Sequence, residues 1–293
     1  MRDSLYTIGG FKAAFVFAHI FPRACSQWLA PRIGLAAYGR SVEARSALRT
    51  NLGLVTGLDG AALDALCEEN IVNFSRMLAD YFLCAGPHAT ARAESLLHYD
   101  GGEQHLAAAR APGAGVIVVT GHLGHWELGG LMLARLGLPL TVITLEEPSS
   151  ELTRWRESCR RQLGIKTITV GPGNPFAFVE MMQTLRRNEL IAMLVDRPYS
   201  GSGACVDLFG QKTEFSTAPA LLAQHTGASI LPAFVLHDGQ GGYRTLAEPP
   251  VAMENNGNSQ TTVSTNTQRI ATVFESVIRR HPAQWFNYVP LFS

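Results

Sequence analysis

The stretch 113–127, GAGVIVVTGHLGHWE, limits what this chain can fold into more than any other. Val116, Ile117, Val118 and Val119 form a run of β-branched residues that ends at Thr120-Gly121. His122 follows at once. Five positions on stands Glu127, at the start of an apolar, helix-like segment. A wholly apolar β-branched run bounded by glycine reads as a strand buried in an α/β sheet. Such sheets gather ligands beyond the carboxyl ends of their strands. The stretch therefore sets both a fold class and a place to look for chemistry, a strand that delivers a histidine and then a carboxylate to the sheet edge.

The rest of the chain repeats the pattern. Apolar residues from Leu63 to Phe82 recur at three and four, a helix over 60–85 opened by Asp59-Gly60 and closed by Gly86-Pro87. Further helices are expected over 103–111, 126–136, 150–163, 175–187, 217–225 and 261–280, with Ser149-Ser150 capping the third of them and Pro219 in the first turn of the fifth. Strands are expected over 140–145, 166–170, 190–195 and 229–236. The 190–195 strand ends at Asp196-Arg197, and a glycine-bearing loop follows it. Strands alternating with helices of this length imply a three-layer α/β/α domain with a largely parallel central sheet. No repeat, low-complexity segment or linker divides the chain after residue 90. The expected division is an N-terminal helical segment over 1–44 and one domain over 45–293.

Composition narrows the partners. The formal net charge is zero, which argues against nucleic acid. Of the 293 residues 46% are hydrophobic and only 16% charged, enough for a large core and an apolar groove. The five cysteines are odd in number and no pair has CxxC spacing, so reduced thiols packed in the core are expected. The apolar run FKAAFVFAHIF at 11–21 is broken by Lys12 and His19, too short for a spanning helix of about 20 residues. No convincing cleavage site follows it. With Trp28, the run 33–38 and flanking Arg32 and Arg40, it suits a segment lying in a membrane interface; two ordinary core helices are the alternative.

At a spacing of five across a strand-to-helix turn, the Glu127 carboxylate is expected to fold back onto one nitrogen of His122, leaving the other to take a proton from a hydroxyl. Gly121 and Gly124 let a ligand approach the backbone, and amides at the following helix N-terminus are candidates to hold an oxyanion. A metal site built from His122, His125 and Glu127 would need three ligands at awkward angles within one short loop, and no other cysteine or histidine cluster supports it. Arg154, Arg156, Arg160 and Arg161 lie on one expected helix, either as a solvated face or as partners for donor phosphates or an acidic carrier. Asp196-Arg197 suits substrate or donor contact, with an internal ion pair as the alternative. Trp126 and Trp285 suit the core better than the wall of an acyl channel.

GHLGHWE resembles the HX4E form of the HX4(D/E) motif of the glycerolipid acyltransferase superfamily, most closely its late lipid A acyltransferases, which show H-F-G-N-W-E here. Further blocks follow in the family's order. Arg49-Thr50-Asn51-Leu52 is similar to its R-x-N-L. Asp196-Arg197 with Gly201, Val206 and Phe209-Gly210 is similar to its D-[QR]…G…V…F-F-G. Thr217 to Ala220, Thr226-Gly227-Ala228 and Pro232 are similar to its T-x-x-P-A…T-G-A…P. Pro282 with Gln284-Trp285 is similar to its P-x-Q-W. The resemblance implies a bacterial enzyme at the cytoplasmic face of the inner membrane, moving a fatty acyl group from acyl carrier protein or coenzyme A to a hydroxyl of a lipid or glycolipid. It implies His122 as base and Glu127 as its orienting acid, with no bound cofactor, metal or covalent acyl-enzyme. Donor or acceptor contacts are expected from Gly124, Trp126, Arg160, Asp196, Arg197 and Gly210. A hydrolase using the same pair and an inactive lipid-binding relative are the alternatives. Two departures stand out. His125 replaces the family's asparagine, and 287–292 (NYVPLF) replaces an aromatic-His-Arg-Arg ending, so the resemblance leaves the acceptor open between lipid A and another lipid or glycolipid.

Overall fold

The computed structural model describes residues 8–86, 88–99, 101–146, 149–198, 201, 203–254 and 259–292. Four helices lead: α1 (Ile8–Ile20), α2 (Arg23–Arg40), α3 (Val42–Thr56) and α4 (Gly60–Leu83). Then come α5 (Ala89–Leu96), β1 (Leu97–His98), α6 (Glu103–Arg110), β2 (Val116–Thr120), α7 (Trp126–Arg135), β3 (Leu140–Leu145), α8 (Ser150–Gln162) and β4 (Lys166–Val170). The remainder is α9 (Ala177–Arg186), β5 (Leu190–Leu194), β6 (Gly203–Leu208), β7 (Gln211–Ser216), α10 (Ala218–Thr226), β8 (Ser229–His237), β9 (Tyr243–Ala247), α11 (Ser259–Arg280) and a 3-10 turn, Pro282–Gln284.

The main sheet runs β1-β9-β8-β2-β5-β3-β4. Every pairing is parallel except β8 with β9. All five residues of β2 are buried, because it lies between β8 and β5 with helices over both faces. Its side chains alternate. Ile117 and Val119 join the core under α3, α4 and α9 to α11. Val116 and Val118 join Ala109 of α6 and Leu133 of α7. The three-layer expectation holds, and each expected strand is present. β8 changes partner at Pro232: residues up to Pro232 pair with β2, and those from Ala233 pair with β9.

Several elements depart from the sequence reading, α5 and β1 among them. The region after Asp196, expected as a loop, contains the antiparallel hairpin β6–β7 packed on α11. The antiparallel strand β9 was also not expected. At the N-terminus, α1 and α2 pack on α4: Phe11 meets the edges of Phe82 (5.2 Å) and Trp155 (5.8 Å). The Nε and Nη2 of Arg23 each donate at 2.7 Å to the buried Asp80. The boundary expected at 44/45 falls in the first turn of α3. Val16, Ile20, Phe21, Trp28 and Ile33 remain exposed. No helix among the described residues is long and apolar enough to cross a membrane.

Candidate active site

The register of β2 against β5 builds the site. Thr120 pairs with Leu194, and the ladder continues through Val195, whose N–H donates to Thr120 O at 3.0 Å. Two residues beyond each strand end stand His122 and Asp196. The sheet therefore brings them side by side across 74 positions of sequence. Nδ1 of His122 lies 2.8 Å from Asp196 Oδ1, and the His122 amide donates to Oδ2 at 3.0 Å. The indole Nε1 of Trp285 donates to the same Oδ2 at 3.2 Å. Asp196 keeps 2% of its side-chain area exposed and His122 24%, so the open edge of the imidazole faces outward. Burial raises the Asp196 carboxyl, but the His122 ring and Arg197 outweigh it and hold the group at about 2.

The expected contact between Glu127 and His122 is replaced by this one. Glu127 stands in the first turn of α7, and its two oxygens accept from Arg160 Nε (3.2 Å) and Nη2 (2.6 Å). Burial pushes this carboxyl up, and Arg160 with Arg156 brings it down to about 2. The physical reason is reach: α8 lays a guanidinium against that turn, and a forked cation on a buried carboxylate outcompetes a neutral imidazole. The arginine row of α8 is accordingly divided. Arg156 and Arg160 face Glu127 and Tyr81, while Arg154 and Arg161 are exposed.

The turn 122–125 is stitched on both sides. The Gly124 amide donates to Gln284 O (2.9 Å) and the His125 amide to Val235 O (2.7 Å). The Phe286 amide donates to His122 O (2.7 Å). Gly124 has φ +62°, and a Cβ there would sit 2.0 Å from Val235 O, so the glycine serves backbone against backbone. The amides of Gly124 and His125, two that could have cradled an oxyanion, are thus both occupied. His125 is 1% exposed, its ring edge-on to Tyr243 at 5.0 Å. Neither ring nitrogen has a partner among the described residues.

Of the other expected contacts, Trp126 stands with its ring 5.4 Å from that of His122. Arg197 donates from Nη2 to Phe286 O (2.7 Å) and has no carboxylate within ion-pair reach among the described residues. Gly210 lies apart, exposed at the tip of β6–β7, where Phe209 and Gly210 both take positive φ in a two-residue turn. The sequence reading missed the strut formed by the C-terminal block. Asn70 Nδ2 holds Trp285 O (2.9 Å), Asn51 Nδ2 holds Asn287 O (3.0 Å), and the Tyr288 hydroxyl donates to Asn70 Oδ1 (3.0 Å). The R-x-N-L and P-x-Q-W blocks were the available signals, since Asn51 and Trp285 belong to them. An apolar pocket lies between α6, α7 and the sheet, lined by Thr120, Trp126, Gly129, Gly130, Leu231 and Ala233 among others; Trp126, whose ring stands 5.4 Å from that of His122, separates it from the imidazole, which is not part of its lining.

The arrangement is a buried carboxylate on one imidazole nitrogen, the other nitrogen open, with an apolar pocket on the far side of Trp126. It is suited to drawing a proton from a hydroxyl beside a hydrocarbon chain. The chain is 30% identical over 246 residues to the phosphatidylinositol mannoside acyltransferases of two strains of Mycobacterium tuberculosis, an alignment covering 83% of this chain and 75% of theirs. With the phosphatidylinositol mannoside acyltransferase of Mycolicibacterium smegmatis it shares 27% over 294 residues, 96% of this chain and 90% of the relative. The family model described as bacterial lipid A biosynthesis acyltransferase matches residues 6–293, so this chain belongs to that family and is an acyltransferase.

Proposed function

We propose that the protein transfers a fatty acyl group from a thioester donor, acyl carrier protein or coenzyme A, to a sugar hydroxyl of a glycosylated phospholipid, with His122 as general base and Asp196 as the carboxylate that orients it. One observation carries the mechanism: Nδ1 of His122 is engaged by Asp196 while the ring keeps an open edge. Nδ1–H donates to Asp196, which fixes the tautomer with its lone pair on Nε2. Nε2 takes the acceptor's hydroxyl proton. The alkoxide oxygen bonds to the thioester carbonyl carbon, and the carbon–sulfur bond then breaks. The departing thiolate takes the proton back from Nε2. No covalent acyl-enzyme or metal enters these steps. The acyl chain lies in the cavity beyond Trp126. Glu127 and Arg160 tie α7 to α8 from behind.

Two observations favour a glycosylated phospholipid of the phosphatidylinositol mannoside kind over lipid A. The relatives carry that name. The arginines of the usual family ending are absent from 287–292. The exposed apolar residues of α1 and α2 are proposed to lie in the inner-membrane interface on its cytoplasmic face, where the lipid acceptor is met.

The test is acyl transfer to such an acceptor by purified protein. His122→Ala and Asp196→Asn are each expected to lower kcat by about a thousandfold or more. Wild-type turnover by either variant would overturn the mechanism. Free fatty acid released in the same amount with and without acceptor would establish a hydrolase instead.

A further inference from the structure

We infer that Trp285 is a positioning residue for this reaction: its indole N–H and the His122 amide together hold Oδ2 of Asp196, so that Oδ1 is turned to the imidazole. The inference rests on the His122–Asp196 reading above and adds to it a group 163 positions from the histidine.

Trp285 is 1% exposed. An indole buried that deeply needs an acceptor for its one N–H. The acceptor it has is Asp196, at 3.2 Å. Three N–H groups converge on this carboxylate. Two of them, from Trp285 and from the backbone of His122, meet at Oδ2, and the third, from the His122 ring, meets Oδ1. With Oδ2 pinned by two donors from different directions, the carboxylate cannot rotate about its terminal bond without breaking both. Such terminal torsions are otherwise broad, so an unpinned aspartate would spread over many orientations.

The pinning group is itself held. Leu123 and Trp285 face each other in an antiparallel bridge. Gln284 O and the Phe286 amide bond to either side of it, and Asn70 takes Trp285 O. Phe209 packs on the indole at 5.9 Å between ring centres. The ionisable groups facing Asp196 are His122 from the β2–α7 turn and Arg197 beside it in the chain, with Tyr288 behind Arg197. None of these stands in for the indole on Oδ2.

Trp285→Phe keeps the ring and removes the donor. Loss of one charge-assisted hydrogen bond is expected to lower kcat about tenfold to a hundredfold, with KM within about twofold, since the indole does not touch substrate. The acid limb of the kcat/KM profile should move to higher pH, because a carboxylate that loses a donor pulls harder on the imidazole proton. Phe209→Leu loosens the packing on the indole and leaves its N–H in place; it should lower thermal stability and leave the acid limb where it was. A Trp285→Phe enzyme with wild-type kcat and acid limb, beside an inactive Asp196→Asn enzyme, would overturn the role of Trp285 and leave the His122–Asp196 pair standing. An active Asp196→Asn enzyme would instead remove the reading underneath. If Trp285→Phe does not fold, the ¹⁵N-indole resonances of the four tryptophans decide. One should shift upfield in proton frequency on Asp196→Asn, and four unmoved resonances would overturn the inference.

Discussion

A neutral imidazole without a hydrogen-bond partner is costly to bury, and neither ring nitrogen of His125 has a partner on another residue among the described residues. Burial lowers its pKa from 6.5 to about 4, against the opposing pull of Asp80 and Glu127. The unfolded chain takes up a proton on this residue near 6.5, whereas the folded chain does so only near 4. Between those values the unfolded state binds more protons, so stability falls as pH falls, by about 3 kcal/mol in all. Asp196 and Glu127, held near 2, weaken the fold only below the ordinary carboxylate range of 3.8 to 4.5. The interval from pH 6.5 down to 4.5 therefore isolates the histidines. His125→Asn, which restores the residue usual in the family, should flatten the decline in Tm across that interval. The slope left over belongs to His237 and His281, which burial also lowers. An identical slope in wild type and variant would refute the assignment. His122 was legible from its place after a buried strand, which is local information. Its partner was not, because Asp196 reaches it only through the order of β2 and β5 in the sheet. Glu127 was the nearer carboxylate in sequence, but the residue that claims it, Arg160, comes from a helix two elements later.

Helix α7 carries Gly129 and Gly130 in its middle, where each costs about 0.5–1 kcal/mol relative to alanine. Both line the apolar cavity, and a Cβ on Gly129 would stand 3.4 Å from Val235 Cγ2, at ordinary contact. A Cβ on Gly130 would already crowd Ile165 Cδ1 at 3.1 Å, whereas on the proposed reading the space left by Gly129 is where a hydrocarbon chain would run. Gly129→Met should fill part of it and shift donor preference from hexadecanoyl toward dodecanoyl thioester by about tenfold, as loss of room for one or two methylenes would. Competition between the two donors measures it, and an unchanged ratio would place the chain elsewhere. Elements of this kind were readable because their apolar residues repeat within a few positions. The β6–β7 hairpin was not, although Val206 and Leu208 alternate with polar neighbours and face inward with Thr213 and Phe215. Its turn is Phe209-Gly210, with a bulky residue at positive φ, in place of the Asn-Gly or Asp-Gly that marks such turns. Phe209 tolerates that conformation because its ring is held by Trp285, Phe292 and the guanidinium of Arg279.

Of the thirteen large apolar side chains exposed among the described residues, five (Val16, Ile20, Phe21, Trp28 and Ile33) belong to α1, α2 and the bend between them. Arg32 lies over Trp28 at 3.9 Å, which sets a cation beside an exposed indole. Replacing Phe21 and Trp28 with serine should reduce binding to phospholipid vesicles more than tenfold, each ring contributing about 2 kcal/mol when buried in lipid. Turnover of a water-soluble acceptor should be unchanged, because both rings are exposed and their ring contacts are Phe17 and Arg32 of the same two helices. Vesicle co-sedimentation checks the first and a soluble assay the second; equal sedimentation would sink the membrane assignment. The strut of residues 284–287 has a consequence for how the enzyme comes into being. A ribosome that has released the chain as far as β9 has made every strand of the large sheet and both members of the His122–Asp196 pair. It has not made the indole that pins the aspartate or the amide that closes the His122 turn. A chain clipped between the end of α11 and Gln284 would keep every strand of the sheet and the helix that covers its core, and would lack the indole and the amide that hold the proposed pair.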